Sequence, residues 1–162
     1  IAGTLHQGDS LAVEGLPKSF VFDVVYESGT LTAISYSDGK EVSRDSLTTV
    51  GAPAALHLHS ESDQLAADGH ALAYISVEIV DSLGNVIPDC AVPVSIEVSG
   101  CGELLGFGSS NPITSENYTA GHFTTYRGKA LAVVRSAYET GSFLLEAHAD
   151  RLQNSILSLP FV

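Results

Sequence analysis

His57 and His59 stand two apart, so on an extended strand both imidazoles share one face and could chelate a metal ion. A working site needs at least a third ligand and partners that orient the rings, and no residue nearby supplies them at a recognised spacing. A solvated histidine pair is the expected reading. Asp81-Ser82-Leu83-Gly84-Asn85 has the flavour of a calcium loop but lacks the alternating oxygen ligands and closing bidentate Glu of an EF-hand. An Asx-type turn accounts for it better. Ser109 and Ser110 follow Gly106 and Gly108, yet a nucleophile elbow reads G-x-S-x-G between a strand and a helix. Here the order is wrong and no helical pattern follows, so backbone freedom explains the glycines.

Paired carboxylates can cleave a glycosidic bond when a cleft holds them about 5–9 Å apart. Glu78, Glu97 and Glu146 fall on the outward parity of their strands, where solvated charge is the default. Tyr36, Tyr118, Tyr126 and Tyr138 are candidates for a sugar-stacking platform, but the chain has no Trp to strengthen the case. Asn117-Tyr118-Thr119 is formally a glycosylation sequon and is read as a chance match. No residue is therefore assigned a catalytic, cofactor-binding or metal-ligating role, and no cofactor is expected.

The elements that would position these residues are strands. Ala71, Ala73, Ile75, Val77 and Ile79 share one parity, and Val92, Val94, Ile96 and Val98 repeat the pattern. Such alternation puts one face of a strand in a core and the other in water. Gly84 between the runs, with Pro88 and Pro93 interrupting any tight ladder, predicts a sandwich-type strand pair joined by a loop, not by a two-residue hairpin. Upstream, a weak strand is expected over Leu5 to Val13 and a strong one over Ser19 to Tyr26. Glu27-Ser28-Gly29 turns the chain into Leu31–Ser37, and Asp38-Gly39 is a hairpin signal leading to a strand over Glu41 to Leu47. Val50 to Pro53 is the boundary signal. Beyond it, Leu56 and Leu58 face inward and His57 and His59 outward. Residues 102–112 form a Gly-rich connection with short strand potential, and Ile113 to Arg127 reads as a long loop. Strands are expected at Gly128 to Ala137, around Phe143 to Ala149, and at Ile156 to Val162. About seven strands in residues 52–162 are the spacing of an immunoglobulin-like sandwich. The fold class is all-β: a small β-sandwich-like module over 1–51, then an immunoglobulin-like β-sandwich over 52–162.

The formal charge is −12, from 19 acidic residues against seven Lys and Arg. Nucleic acid, whose phosphates need a basic surface, is excluded as a partner. No run approaches the ~18 apolar residues of a membrane span, so no membrane partner is expected. The chain begins at Ile1, without Met and without a leader, which reads as a fragment. Cys90 and Cys101 flank an extended run that would hold them more than about 25 Å apart, beyond the ~7 Å between Cα atoms that a disulfide tolerates. Two free thiols are expected, which leans towards a reducing compartment.

Val24, Tyr26, Gly29, Leu31, Ala33, Tyr36, Gly39, Lys40, Glu41 and Val42, then Thr49, Gly51 and Pro53, form a spaced pattern. It resembles the region behind the catalytic barrel in bacterial glycoside hydrolase family 2 enzymes of the β-galactosidase type. The resemblance continues through Leu65 to Gly69, through Val77, Val80, Asp81, Gly84, Asn85 and Pro88, through Gly102 to Gly106 and Gly108 to Pro112, and through Gly128 to Ser136. It spans about residues 19–158. It implies a non-catalytic C-terminal accessory region of an enzyme that hydrolyses O-glycosidic bonds, its two catalytic glutamates lying on the barrel with no counterpart here. The implied partners are that barrel domain, a second copy of the chain, or carbohydrate at the cleft rim. The implied location is bacterial, the cytoplasm ahead of export. A shorter resemblance, to invasin-type bacterial immunoglobulin-like domains, implies an adhesin stalk instead but leaves 19–53 unaccounted for. A carbohydrate-binding module is the third reading.

Overall fold

The computed structural model describes residues 25–162. Ten strands are found there: β1 Thr30–Ser37, β2 Lys40–Thr48, β3 Ala55–Ser60, β4 Leu72–Val80, β5 Pro93–Gly100, β6 Glu103–Gly108, β7 His122–Thr124, β8 Lys129–Arg135, β9 Gly141–His148 and β10 Ser155–Phe161. Among the described residues there is no helix, and the chain is all-β. It divides into two compact units, residues 1–49 and 50–162.

In the first unit β1 and β2 form an antiparallel hairpin. Asp38 and Gly39 turn it with φ of 51° and 74°, the left-handed pair that a two-residue turn matched to strand twist requires. Cross-strand hydroxyl pairs line one face, Thr30 with Thr48 at 3.1 Å and Thr32 with Ser46 at 3.0 Å. The expected strands at Leu5–Val13 and Ser19–Tyr26 lie outside the described residues, except for Val25 and Tyr26, which are exposed and not in a strand.

The second unit is a sandwich of two four-stranded sheets, in the orders β3-β4-β8-β6 and β10-β9-β5-β7. Every strand pairing within them is antiparallel. The alternation seen in the sequence decides the inner faces. Ile75, Val77 and Ile79 of β4 and Ala130, Ala132 and Val134 of β8 point into one core from the first sheet. Val94 and Ile96 of β5 and Phe143, Leu145 and Ala147 of β9 meet them from the second. Ala73, Ala130, Ala132 and Ala147 share the core with four buried phenylalanines, 107, 123, 143 and 161, a mix of small and large side chains that lets the layers interdigitate.

Two expectations change. The runs that became β4 and β5 are not hydrogen-bonded neighbours but lie in opposite sheets. After β4 the chain folds back on it, with Val86 bridged to Val80 and the Ile87 N–H donating to the Ile79 carbonyl. It then crosses the core, and Pro88 and Pro93, which have no N–H, cannot extend that ladder. The segment Ile113–Arg127 also contains a strand. β7 pairs with β5, placing Phe123 opposite Val94 with only its own ring turned inward. One inward residue in three is too short a run for periodicity to reveal.

Candidate functional site

His57 and His59 occupy the outer face of edge strand β3, as expected, and His57 has partners there. Register places His57, Glu78 and Lys129 side by side across β3, β4 and β8. The Lys129 ammonium lies 2.7 Å from Glu78 and His57 Nδ1 lies 3.3 Å from it. Burial pushes the Glu78 carboxyl up, but the hydrogen bonds from Lys129 and His57 and their charges outweigh it and leave the group below the usual carboxylate range. This is a cross-strand charge row on a half-exposed sheet face. Among the described residues no group of three His, Cys, Asp or Glu is placed to hold a metal ion.

Asp81 is the most heavily committed carboxylate. It is only 3% exposed. Its Oδ2 accepts the Gly51 N–H at 2.9 Å, and its Oδ1 accepts the N–H groups of Leu83 and Asn85, both at 2.9 Å. The Asn85 amide donates to both oxygens. The loop is an Asx-type turn, and with N–H donors aimed at its oxygens from several directions the carboxylate presents no face to a cation. The Gly51 N–H above all, then the Asn85 side chain, hold its pKa at about 2 instead of the ordinary 3.8, against the opposing effect of burial. A depressed folded-state pKa contributes stability above the unfolded value and loses it as pH falls through the folded one. The thermal midpoint of the wild-type chain is therefore expected to fall between pH 3.8 and about 2 more steeply than that of Asp81→Asn. The variant should also be the less stable at neutral pH, because its amide turns N–H groups towards N–H donors. Parallel midpoint-against-pH curves for the two proteins would remove Asp81 from the acid limb.

The remaining candidates are scattered. The Ser109 hydroxyl is buried with no hydrogen-bond partner, so no base stands beside it to make it a nucleophile. Glu97 faces Glu146 directly across β5 and β9, on the outer face of their sheet, with His148 3.6 Å from Glu146. Asn117 closes its own turn, its Oδ1 accepting from the Thr119 N–H and hydroxyl. Tyr118 stacks on Phe123 at 4.9 Å, and the Arg127 guanidinium lies 5.6 Å from the centre of the Tyr126 ring. Tyr36 belongs to the hairpin of the first unit. Within the second unit Tyr118, Tyr126 and Tyr138 each rest on different neighbours and do not form one platform. Cys90 and Cys101 are free thiols, and burial, with the Asp89 charge, pushes Cys90 up.

One depression, of about 500 Å³, opens at an end of the sandwich. Gly69 and His70 line it from before β4, Gly100 to Glu103 from the β5–β6 turn, and Arg135 to Tyr138 from after β8. The Asp68 carboxylate braces its wall by accepting the N–H groups of His70 and Ala71, each at 2.8 Å, and both hold that carboxyl below its ordinary pKa. Arg135 and Glu103 form an ion pair across β8 and β6 at the rim. Of these residues the sequence singled out only Tyr138 as a candidate. Gly69, Gly102, Glu103, Arg135 and Ser136 stand in the Leu65–Gly69, Gly102–Gly106 and Gly128–Ser136 segments, with His70, Gly100, Cys101 and Ala137 just beyond their ends, and their convergence needs the folded chain.

Residues 56–158 match the family model described as glycoside hydrolase family 2 C-terminal domain 5. The chain belongs to that family. A second model, a domain of unknown function (DUF4982), matches residues 7–43. The family 2 chain is 31% identical over 136 residues to the β-galactosidase BoGH2A of Bacteroides ovatus, a match covering 84% of this chain and 16% of that protein. It is 33% identical to a β-galactosidase of Thermoanaerobacter pseudethanolicus, covering 77% of this chain and 15% of the other. A crystal structure of a glycosyl hydrolase family 2 member from Bacteroides cellulosilyticus superposes with a TM-score of 0.80 at 31% identity, over 86% of this chain and 18% of that one. The chain thus spans about a sixth of the length of the relatives it matches, and its residues 56–158 correspond to a family 2 C-terminal domain.

Proposed function

We propose that this chain is the non-catalytic C-terminal accessory region of a family 2 enzyme of the β-galactosidase type, which hydrolyses O-glycosidic bonds with residues carried elsewhere on the parent. The observation that carries the reading is the match of residues 56–158 to a C-terminal domain within relatives several times longer. The carboxylates support it. Glu78 is tied to Lys129 and His57, and Glu97 and Glu146 stand on an open sheet face, so neither arrangement offers an acid and a nucleophile across a cleft. The role is packing against the catalytic barrel. The outer face of β3-β4-β8-β6 suits it, since Tyr74 and Leu131, each 42% exposed, stand there with half-buried Val133 paired to Tyr74, beside the charged row of Glu78 and Lys129.

The test uses the parent enzyme with and without residues 50–162, and the present chain alone. The parent lacking them is expected to hydrolyse a nitrophenyl β-galactoside at an undiminished rate per folded molecule but to lose activity at a lower temperature. The present chain alone is expected to hydrolyse none. Hydrolysis by the chain alone, or a truncated parent equally heat-tolerant and equally active, would overturn the reading.

A further inference from the structure

The geometry points to the depression around Tyr138 as a saccharide subsite, taking a neutral β-linked hexopyranoside through stacking on Tyr138 and hydroxyl contacts to Arg135 and Glu103. Tyr138 is 74% exposed, yet its ring does not hang free. A Cβ added to Gly69 would stand 2.5–2.8 Å from Cε1, Cζ and Cε2 together, so one face of the ring rests flat on that glycine. His70 meets the ring edge-on, with centroids 6.0 Å apart and planes at 82°. The bed is itself fixed. The Gly69 N–H donates to the Ala137 carbonyl at 3.1 Å, the Ser136 N–H donates to the Ala71 carbonyl at 2.9 Å, and Asp68 closes the turn from beneath. What remains is an aromatic plane held at a set angle with its second face in water. Burial does not explain holding such a ring in place. It is the form of surface that the apolar face of a pyranose covers, with little ordering left to be done on binding.

The hydroxyls of such a sugar would find Arg135 and Glu103. Both side chains are half-exposed, and their ion pair engages one guanidinium nitrogen and one carboxylate oxygen. The remaining N–H groups of the fork and the second carboxylate oxygen are donors and acceptors set for neighbouring hydroxyls. The pair is neutral in sum, and the chain carries −12, which favours an uncharged sugar over a uronate. A 500 Å³ depression is within the range of small-ligand sites. This assignment rests on the accessory reading above and gives that region a contact with glycan remote from bond cleavage.

The experiment is a titration of the full chain with a β-linked galactooligosaccharide, read by amide chemical shifts. Saturable shifts are expected at Gly69, His70, Gly102, Glu103 and Tyr138, with a Kd of about 1 mM. Tyr138→Ala should weaken binding about tenfold or more, whereas Tyr138→Phe, which keeps the plane, should bind as wild type. Glucuronate, titrated in parallel, should bind less well. No saturable shifts, shifts centred elsewhere, or unchanged affinity in Tyr138→Ala would each overturn the subsite. Glucuronate binding as well as the neutral sugar would overturn the ligand class. If sugar binding is absent while truncation still lowers the parent's heat tolerance, the subsite falls and the accessory reading stands.

Discussion

Phe143→Ala is expected to lower the stability of the sandwich by about 3–5 kcal/mol, the range for removing a fully buried aromatic ring. Phe143 is 1% exposed, the first inward residue of β9, paired through β5 to Gly100 and through β10 to Leu159. Its ring centroid lies 5.5 Å from that of Phe161. The space it occupies is made by absence. A Cβ on Gly102 would stand 2.8 Å from both Phe143 Cβ and Val134 Cγ1, so the glycine lets the ring close against the opposite sheet. Deleting the ring leaves a hole walled by two hydrogen-bonded sheets, which cannot move together to fill it. Against a total of about 5–15 kcal/mol for a domain, the loss is large. Urea unfolding of the full chain should show it as a lower midpoint at an unchanged slope. Phe143→Leu should lose much less. A loss below about 1 kcal/mol for the alanine variant would mean the ring does not fill this core.

Gly128→Ala should be the next most damaging single change. Gly128 has φ of +72°, costing an L-residue about 1–2 kcal/mol. It is also pinned, its N–H donating to the Cys90 carbonyl and its carbonyl accepting from Ile79, both at 2.8 Å. An added methyl would run into the Ile87 carbonyl, which is backbone and cannot swing aside. Overpacking of that kind adds about 1–3 kcal/mol, giving about 2–5 kcal/mol in all. Gly84→Ala is the internal control. Gly84 has φ of +84° but no neighbour within 4 Å of a Cβ, so only the backbone term applies. The two variants should therefore separate in denaturant midpoint, with Gly128→Ala the lower. Equal losses would show that the crowding at Ile87 is absorbed without cost.

Much of this fold was legible in the chain because strand signals are local. The parity of Ile75, Val77 and Ile79, of Val94 and Ile96, and of Phe143, Leu145 and Ala147 predicts the inner faces that the structure displays. Asp38-Gly39 and Asp81 to Asn85 carry their turn chemistry within four or five residues, and both turns form. The spaced residues from Val24 to Ser136 pointed to the family that the comparisons show.

Tertiary structure decided what depends on partners distant in sequence. A period of two says that a strand has an inner face but not which sheet it joins, so β4 and β5 were read as a pair and lie in opposite sheets. β7 was missed because three residues carry too little periodicity, and Phe123 is buried by the pairing with β5, the stacked Tyr118 ring and the core between the sheets. Glu78 read as a solvated charge until cross-strand register set it between His57 and Lys129. Tyr138 was one tyrosine among four until the turn at Gly69, 69 residues away in the chain, came to lie beneath its ring. Alternation and turns are written residue by residue, whereas sheet membership and the depression at the sandwich end arise only from pairing and packing between segments far apart along the chain.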